Sequence, residues 1–351
     1  MKKINKTPEW QENIGVSRAV RNWFAVAITT VSALIAGCAT SGGDPLSASA
    51  ADVAKSSPDT MPVTLSFDGQ FAGEPFSCDG QYLNTGLTDV PVTVSEYKLY
   101  VSRVRMLTSD GVEVPVVLTP DGLWQQEDVA LLDFENGQGN CSNGTSPTNT
   151  RVTGTVPAGE YTGLAFDIGV PFEKNHGDPT LAASPLNLTS MFWNWRGGYR
   201  FMRVDMASSD AVSSTHEQLQ KPTAQMDASR HAQNVKASMT PAMEKGGAHG
   251  AGRGWSLHVG STGCKADSPT MAPSSCDSPN RIQISLPDFN ADENTLVIDP
   301  AAVLQQVDVT RNTPETPPGC MSSPTDPECE TILPLLGLKG ADSAQRLVSV
   351  R

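Results

Sequence analysis

The chain has 351 residues, enough for one large domain or two small ones, and a formal net charge of −13. That charge argues against a nucleic-acid partner, because phosphate would be repelled. A hydrophobic content of 38% with only 18% charged residues excludes a disordered chain, and 30 glycines and 26 prolines among recurring Val, Thr and Ser point to short strands and turns.

The N-terminus reads as a targeting segment. Arg18 and Arg21 precede the apolar run "WFAVAITTVSALIAGC", which is short and rich in small residues for a membrane span. Its end, "LIAGC" (Leu34 to Cys38), resembles the lipobox of bacterial lipoproteins. Residues 1–37 are therefore expected to be a lipoprotein signal peptide and Cys38 the lipidated first residue of the mature chain. The residue after it is Ala39 rather than Asp, which favours the outer membrane of a Gram-negative envelope. Residues 38–60 are small and polar and read as a flexible tether.

From Met61 the pattern is that of strands. "PVTLSFDGQF" alternates; "VTVSEYKLYVSRVRML" (Val92 to Leu107) is long and β-branched; "DGVEVPVVL" follows a hairpin signal at Ser109, Asp110 and Gly111. Two more strands flank Pro157, Ala158 and Gly159. "MFWNWRGGYRFMRVD" (Met191 to Asp205) places Trp193 and Trp195 two apart, so that in a strand they and Met191 share one face before the Gly197-Gly198 turn. "GWSLHVGS" and "RIQISLPDF" complete eight to ten strand candidates. The expected fold is all-β: an antiparallel β-sandwich with long loops over residues 61–351. One short helix is expected late in the chain, capped by Asp299 with Pro300 in its first turn. Just upstream, Asp288, Asn290, Asp292, Asn294 and Asp299 imitate a calcium loop, but Glu293 stands where that loop needs glycine, so an Asx-rich turn is the better reading.

Residues 207–254 break the β pattern and predict a mobile insertion between two strands. They carry His216, His231, His249, Met226, Met239 and Met243, ligand types that suit copper, although a polar loop collects such residues by chance.

Export changes the reading of the other six cysteines, Cys78, Cys141, Cys264, Cys276, Cys320 and Cys329. An even number in an exported chain, without C-x-x-C spacing, predicts three disulfides rather than a thiolate metal site. Fifteen pairings are possible; proximity along the chain favours Cys78–Cys141, Cys264–Cys276 and Cys320–Cys329.

Local catalytic motifs are absent: there is no nucleophile elbow, phosphate loop or H-E-x-x-H. Glu96, Asp133, Glu135, Asp167, Glu173 and Asp205 can be paired in many ways as glycosidase carboxylates, and sequence does not choose among them. His176 and His258 are the two histidines in patterned segments, and neither has a second histidine three or four residues away.

Seven stretches together resemble the MbnP-like family of bacterial exported copper-binding proteins. They are "PFSCDGQY" (75–82), "YVSRVRML" (100–107), "VALLDFENGQGNCSNGT" (129–145), "GVPFEKNHGDPT" (169–180), "SPLNLTSMFWNWRGGYRFMRVD" (184–205), "HVGSTGC" (258–264) and "TPPGCMSSPTDPEC" (316–329). They keep their order across most of the domain, and the W-x-W stretch is the most specific; Arg196 stands where the family pattern often has Gln. The resemblance implies a copper carrier or scavenger that is not itself an enzyme, working beside a dihaem peroxidase-like partner, MbnH, that can oxidise a tryptophan to kynurenine. It also implies one copper site built from His176, His258 and one of Trp193 and Trp195. The alternatives are an exported β-sandwich enzyme acting on a glycan and a structural lipoprotein.

Overall fold

The computed structural model describes residues 59–88, 90–194, 196–208, 254–339 and 344–351. The expected signal peptide, Cys38, nearly all of the tether, Trp195 and residues 209–253 of the expected insertion lie outside the described residues.

The strands run in chain order as β1 (Thr60–Phe71), β2 (Glu74–Pro75), β3 (Val92–Leu107), β4 (Glu113–Pro115), β5 (Val117–Leu118) and β6 (Gln125–Gln126). There follow β7 (Val129–Asp133), β8 (Arg151–Pro157), β9 (Gly163–Ile168), β10 (Phe192–Asn194), β11 (Gly198–Ser208) and β12 (Gly254–Gly260). The last are β13 (Thr262–Lys265), β14 (Ser275–Ser278), β15 (Ile282–Leu286), β16 (Leu296–Ile298), β17 (Gly319–Cys320) and β18 (Val348–Val350). Two one-turn helices, α1 (Phe172–Asn175) and α2 (Ile332–Leu335), are the α-helices among the described residues, and no described helix is long and apolar enough to cross a membrane.

The strands form an all-β sandwich. One sheet has the order β18-β16-β1-β8-β5, with β2 on β1. The larger has the order β15-β9-β3-β11-β12-β17, with β4 and β7 also on β3, β6 on β7 and β10 on β11. Alternation along β1 buries Val63, Leu65 and Phe67, and Phe67 meets Phe166 of β9 edge-on at 6.0 Å, so the apolar faces of the two sheets enclose the core. Tyr97 of β3 spans that core, and its hydroxyl donates to the carbonyl of Ile298 at 2.7 Å.

Most pairings are antiparallel as expected, but β1 with β16 and β12 with β17 are parallel, so both sheets are mixed. The expected late helix is a single 3₁₀ turn, Pro300–Val303. Its cap is as read: the Asp299 carboxylate accepts from the amide of Ala301 at 3.0 Å, and it also holds the amides of Ala72 and Gly73. The Asx reading upstream holds too, since Asn290 and Asn294 side chains accept from nearby backbone amides.

The cysteines pair as Cys78–Cys141, Cys264–Cys276 and Cys320–Cys329. The first and last bridges are buried, whereas both sulfurs of Cys264–Cys276 belong to half-buried residues directly opposite each other on β13 and β14.

Candidate metal site

The W-x-W stretch makes a shorter strand than its alternation suggests. Met191 ends a 3₁₀ turn (Thr189–Met191) and is fully buried, so it does not share a strand face with Trp193. β10 is three residues long and its pairing with β11 is irregular between Phe192 and Asn194. Gly198 opens β11 at φ +74°, a left-handed conformation that favours glycine, and a side chain there would strike Asn175. Trp193 is half-buried on the edge of β12: a Cβ at Gly260 would lie 2.5 Å from the indole Cζ3. The missing side chain at 260 is what lets the indole lie there.

His258 stands opposite Arg203 in the β11–β12 ladder, and Arg203 stands opposite Lys98 of β3. Directly opposed residues project to one face, so His258, Arg203, Lys98 and the adjacent pair Asp205 and Glu96 line the same side of the large sheet. Asp205 Oδ1 lies 2.6 Å from His258 Nε2 and accepts from Ser256 Oγ at 2.6 Å. Arg200 Nε donates to His258 Nδ1 at 3.3 Å. A guanidinium nitrogen always donates, so Nδ1 is the acceptor and Nε2 carries the proton given to Asp205. Burial holds His258 below the ordinary imidazole range, against the pull of Asp205, so the ring is neutral at neutral pH. Burial works against ionisation of Asp205, but the His258 hydrogen bond and the charge of Arg203 outweigh it and hold the carboxyl well below its usual range.

Trp193 completes this corner, its ring centroid 6.4 Å from that of His258. The Arg200 guanidinium carbon sits 5.7 Å from the indole centroid, and Nη1 donates to the carbonyls of Ser190 and Phe192 at 3.0 and 2.9 Å. Burial and the neighbouring Arg203 bring Arg200 down to about 10, against the pull of Asp205 and Glu96, and it stays charged at neutral pH.

His176 follows α1 and is buried, with Phe172 edge-on at 5.2 Å and Cys276 Sγ 3.6 Å from Nε2. Its neighbour Asn175 ties it to the strands that carry the other residues. The Asn175 side chain accepts from the amide of Tyr199, beside Arg200, and donates to Ser261 Oγ, three positions after His258. The structure thus brings Trp193 and His258 into contact and anchors His176 to the same strand pair, with its ring against Cys276. Among the described residues, the one cluster of at least three His, Cys, Asp or Glu ligand atoms at metal-site spacing is His176, Cys264 and Cys276. Its two sulfurs are joined to each other, so only the imidazole is an available donor there.

Four of the six acids weighed as possible glycosidase carboxylates converge, but around cations. Lys98 contacts Glu135 and lies 3.5 Å from Glu96 and 3.7 Å from Asp133; Arg203 reaches Glu96 at 3.3 Å and Asp205 at 2.7 Å. Asp167 is fully buried and contacts Arg103, while Glu173 is exposed on α1. Arg200, Asn175, Gly260 and the orienting role of Asp205 are the site features that sequence reading missed. Arg200, Gly260 and Asp205 would have needed the register of β11 on β12, and Asn175 the docking of α1 beside those strands.

Two imidazoles, one of them neutral and fixed in one tautomer by a carboxylate, are ligand types that metal ions take, and the indole against the first is not itself a ligand. A family model described as MbnP matches residues 60–322. A solved structure, MbnP from Methylosinus trichosporium, is similar, with 26% identity and a TM-score of 0.64 over 83% of this chain and 98% of that one. No curated protein matches the chain.

Proposed function

Because the chain belongs to the MbnP family, we propose that it binds copper in the cell envelope as a carrier or scavenger rather than as an enzyme. His258 and His176 supply imidazole nitrogens, and a tryptophan, Trp193 in this reading, supplies a third nitrogen once a dihaem partner has opened its indole to kynurenine. The observation that carries the proposal is the contact of the Trp193 ring with a neutral, carboxylate-oriented His258.

The chemistry follows from the side chains. Indole has an N–H donor and no lone pair in the ring plane to offer. Oxidative cleavage of its C2–C3 bond, with a dioxygen- or peroxide-level oxidant used by the dihaem partner, and hydrolytic loss of C2 as formate would free an aniline-type amine that can act as a ligand. Asp205 holds the Nε2 proton of His258 and so commits Nδ1 to ligation, as outer partners of metal-binding histidines commonly do. A bound copper ion supplies affinity for soft and nitrogen donors, and Cu(I), with its single charge, is the easier ion to desolvate here. The "LIAGC" ending supports attachment to the membrane through lipidated Cys38.

One set of measurements on the full-length chain tests the reading. After exposure to the dihaem partner, the peptide 191–205 should gain the mass change of kynurenine, and Trp193→Phe should abolish it. His258→Ala and His176→Ala should each lose tight binding of one copper equivalent. The chain should fractionate with membranes and Cys38→Ser should not. Copper bound equally well by both histidine variants would refute the site.

A further inference from the structure

We propose that Arg200 is the gate of this site: its guanidinium holds the place beside His258 Nδ1 that copper must take, and copper binds only after it swings away. The inference rests on the copper reading above and adds to it a residue with no ligand role.

Three contacts carry the argument. His258 has one ring nitrogen with a free lone pair, because Nε2 gives its proton to Asp205 at 2.6 Å. That lone pair, on Nδ1, accepts from Arg200 Nε at 3.3 Å. The same guanidinium lies 5.7 Å from the centroid of the Trp193 ring. A cation therefore already stands at the Nδ1 side of the imidazole, next to the indole. It cannot lose its proton to become a co-ligand, since guanidinium stays protonated in proteins. Nor can it share Nδ1, because one in-plane lone pair serves either a hydrogen bond or a metal. Two positive charges at ligand distance also repel strongly in a partly buried site.

The guanidinium is held but not locked. Nη1 is tied to two backbone carbonyls, Ser190 and Phe192, on the turn that leads into β10. Asp205 is taken up by Arg203, Ser256 and His258, and makes no hydrogen bond to Arg200 among the described contacts. Release therefore breaks hydrogen bonds to neutral acceptors and one cation–ring contact and gives up the longer-range attraction of Asp205 and Glu96, but breaks no direct salt bridge. A gate closed about nine times in ten lowers the apparent affinity about tenfold.

The test is competition for Cu(I) between the full-length chain, before and after exposure to the dihaem partner, and a chromogenic Cu(I) chelator without oxygen. Arg200→Leu, which offers no ligand atom, should bind Cu(I) about tenfold more tightly than the wild type, while His258→Ala loses binding. If His258→Ala loses binding and Arg200→Leu, with an unchanged melting temperature, binds no more tightly, the gate is refuted and the copper site stands. If His258→Ala binds as well as wild type, the copper reading itself fails. Should the Leu variant melt early, the wild type decides by NMR. The Arg200 Nε–H resonance must leave its hydrogen-bonded position as Cu(I) saturates the site, and an unmoved resonance overturns the gate.

Discussion

His258 and Trp193 were visible in the sequence as residue types in patterned segments, but what makes them a site was not. Asp205 orients His258 from across the β11–β12 ladder, and Arg200 reaches its other nitrogen from the same strand, contacts that depend on a register between segments more than fifty positions apart. No local pattern encodes such a register. Gly260 is the sharpest residue-level case. Its lack of a side chain admits the Trp193 ring, and an added Cβ would meet Cζ3 at 2.5 Å and the Tyr199 carbonyl at 2.8 Å. Gly260→Ala is expected to displace the indole and destabilise the fold by about 1–3 kcal/mol, as overpacking does. Urea unfolding measures the loss; a midpoint equal to wild type would show that the indole does not pack on β12.

At the scale of elements, long strands were legible and short ones were not. The reading of 92–107 coincides with β3 because sixteen β-branched, aromatic and alternating residues leave no competing pattern. β2, β6 and β17 have two residues each, too few to show a period, and exist because a neighbouring strand offers them hydrogen bonds. The root of the expected insertion is a stronger case for topology than its composition. Ala207 of β11 stands directly opposite Gly254 of β12, so the described residues that flank segment 209–253 are already neighbours in one antiparallel pair. A tight turn suffices to join them. Replacing 209–253 by a short Asn-Gly-containing loop is expected to change unfolding free energy by less than about 2 kcal/mol, because loop closure depends only weakly on length. Chemical denaturation of the shortened chain checks this, and a larger loss would mean that the segment packs on the sandwich. If its copper stoichiometry fell as well, the Met and His residues of that segment would be ligands in their own right.

At the scale of the whole molecule, composition and strand count led to an all-β sandwich, and proximity along the chain led to the three disulfides. The sequence could not show that the large sheet carries a buried ionic network on the face opposite the core. Counting Arg200, four carboxylates (Glu96, Asp133, Glu135 and Asp205) face three cations (Lys98, Arg200 and Arg203). One proton held by a carboxyl would balance the set, and burial favours Glu135 as the group to take it up. Burial raises its carboxyl to about 7, with Lys98 opposing and the Glu96 charge adding to the rise. In the unfolded chain the same group titrates near the ordinary glutamate value of about 4.3. Between those values the folded protein holds a proton that the unfolded chain has lost. This contribution to stability is complete at the acid end of the window and is lost as the pH rises through about 7. His258 acts in the opposite sense, since burial lowers it and the unfolded chain takes up a proton as the pH falls below about 6.5. The two slopes partly cancel in the wild type, so the comparison must be with Glu135→Gln, which keeps the shape and removes the titration. The stability of the wild type relative to that variant is expected to fall by about 1–3 kcal/mol between about pH 5 and pH 8. Urea unfolding of both chains at steps across that range measures it. A difference that stays flat, or that rises with pH, would place the proton elsewhere in the network and make Glu135 an ordinary ionised partner of Lys98.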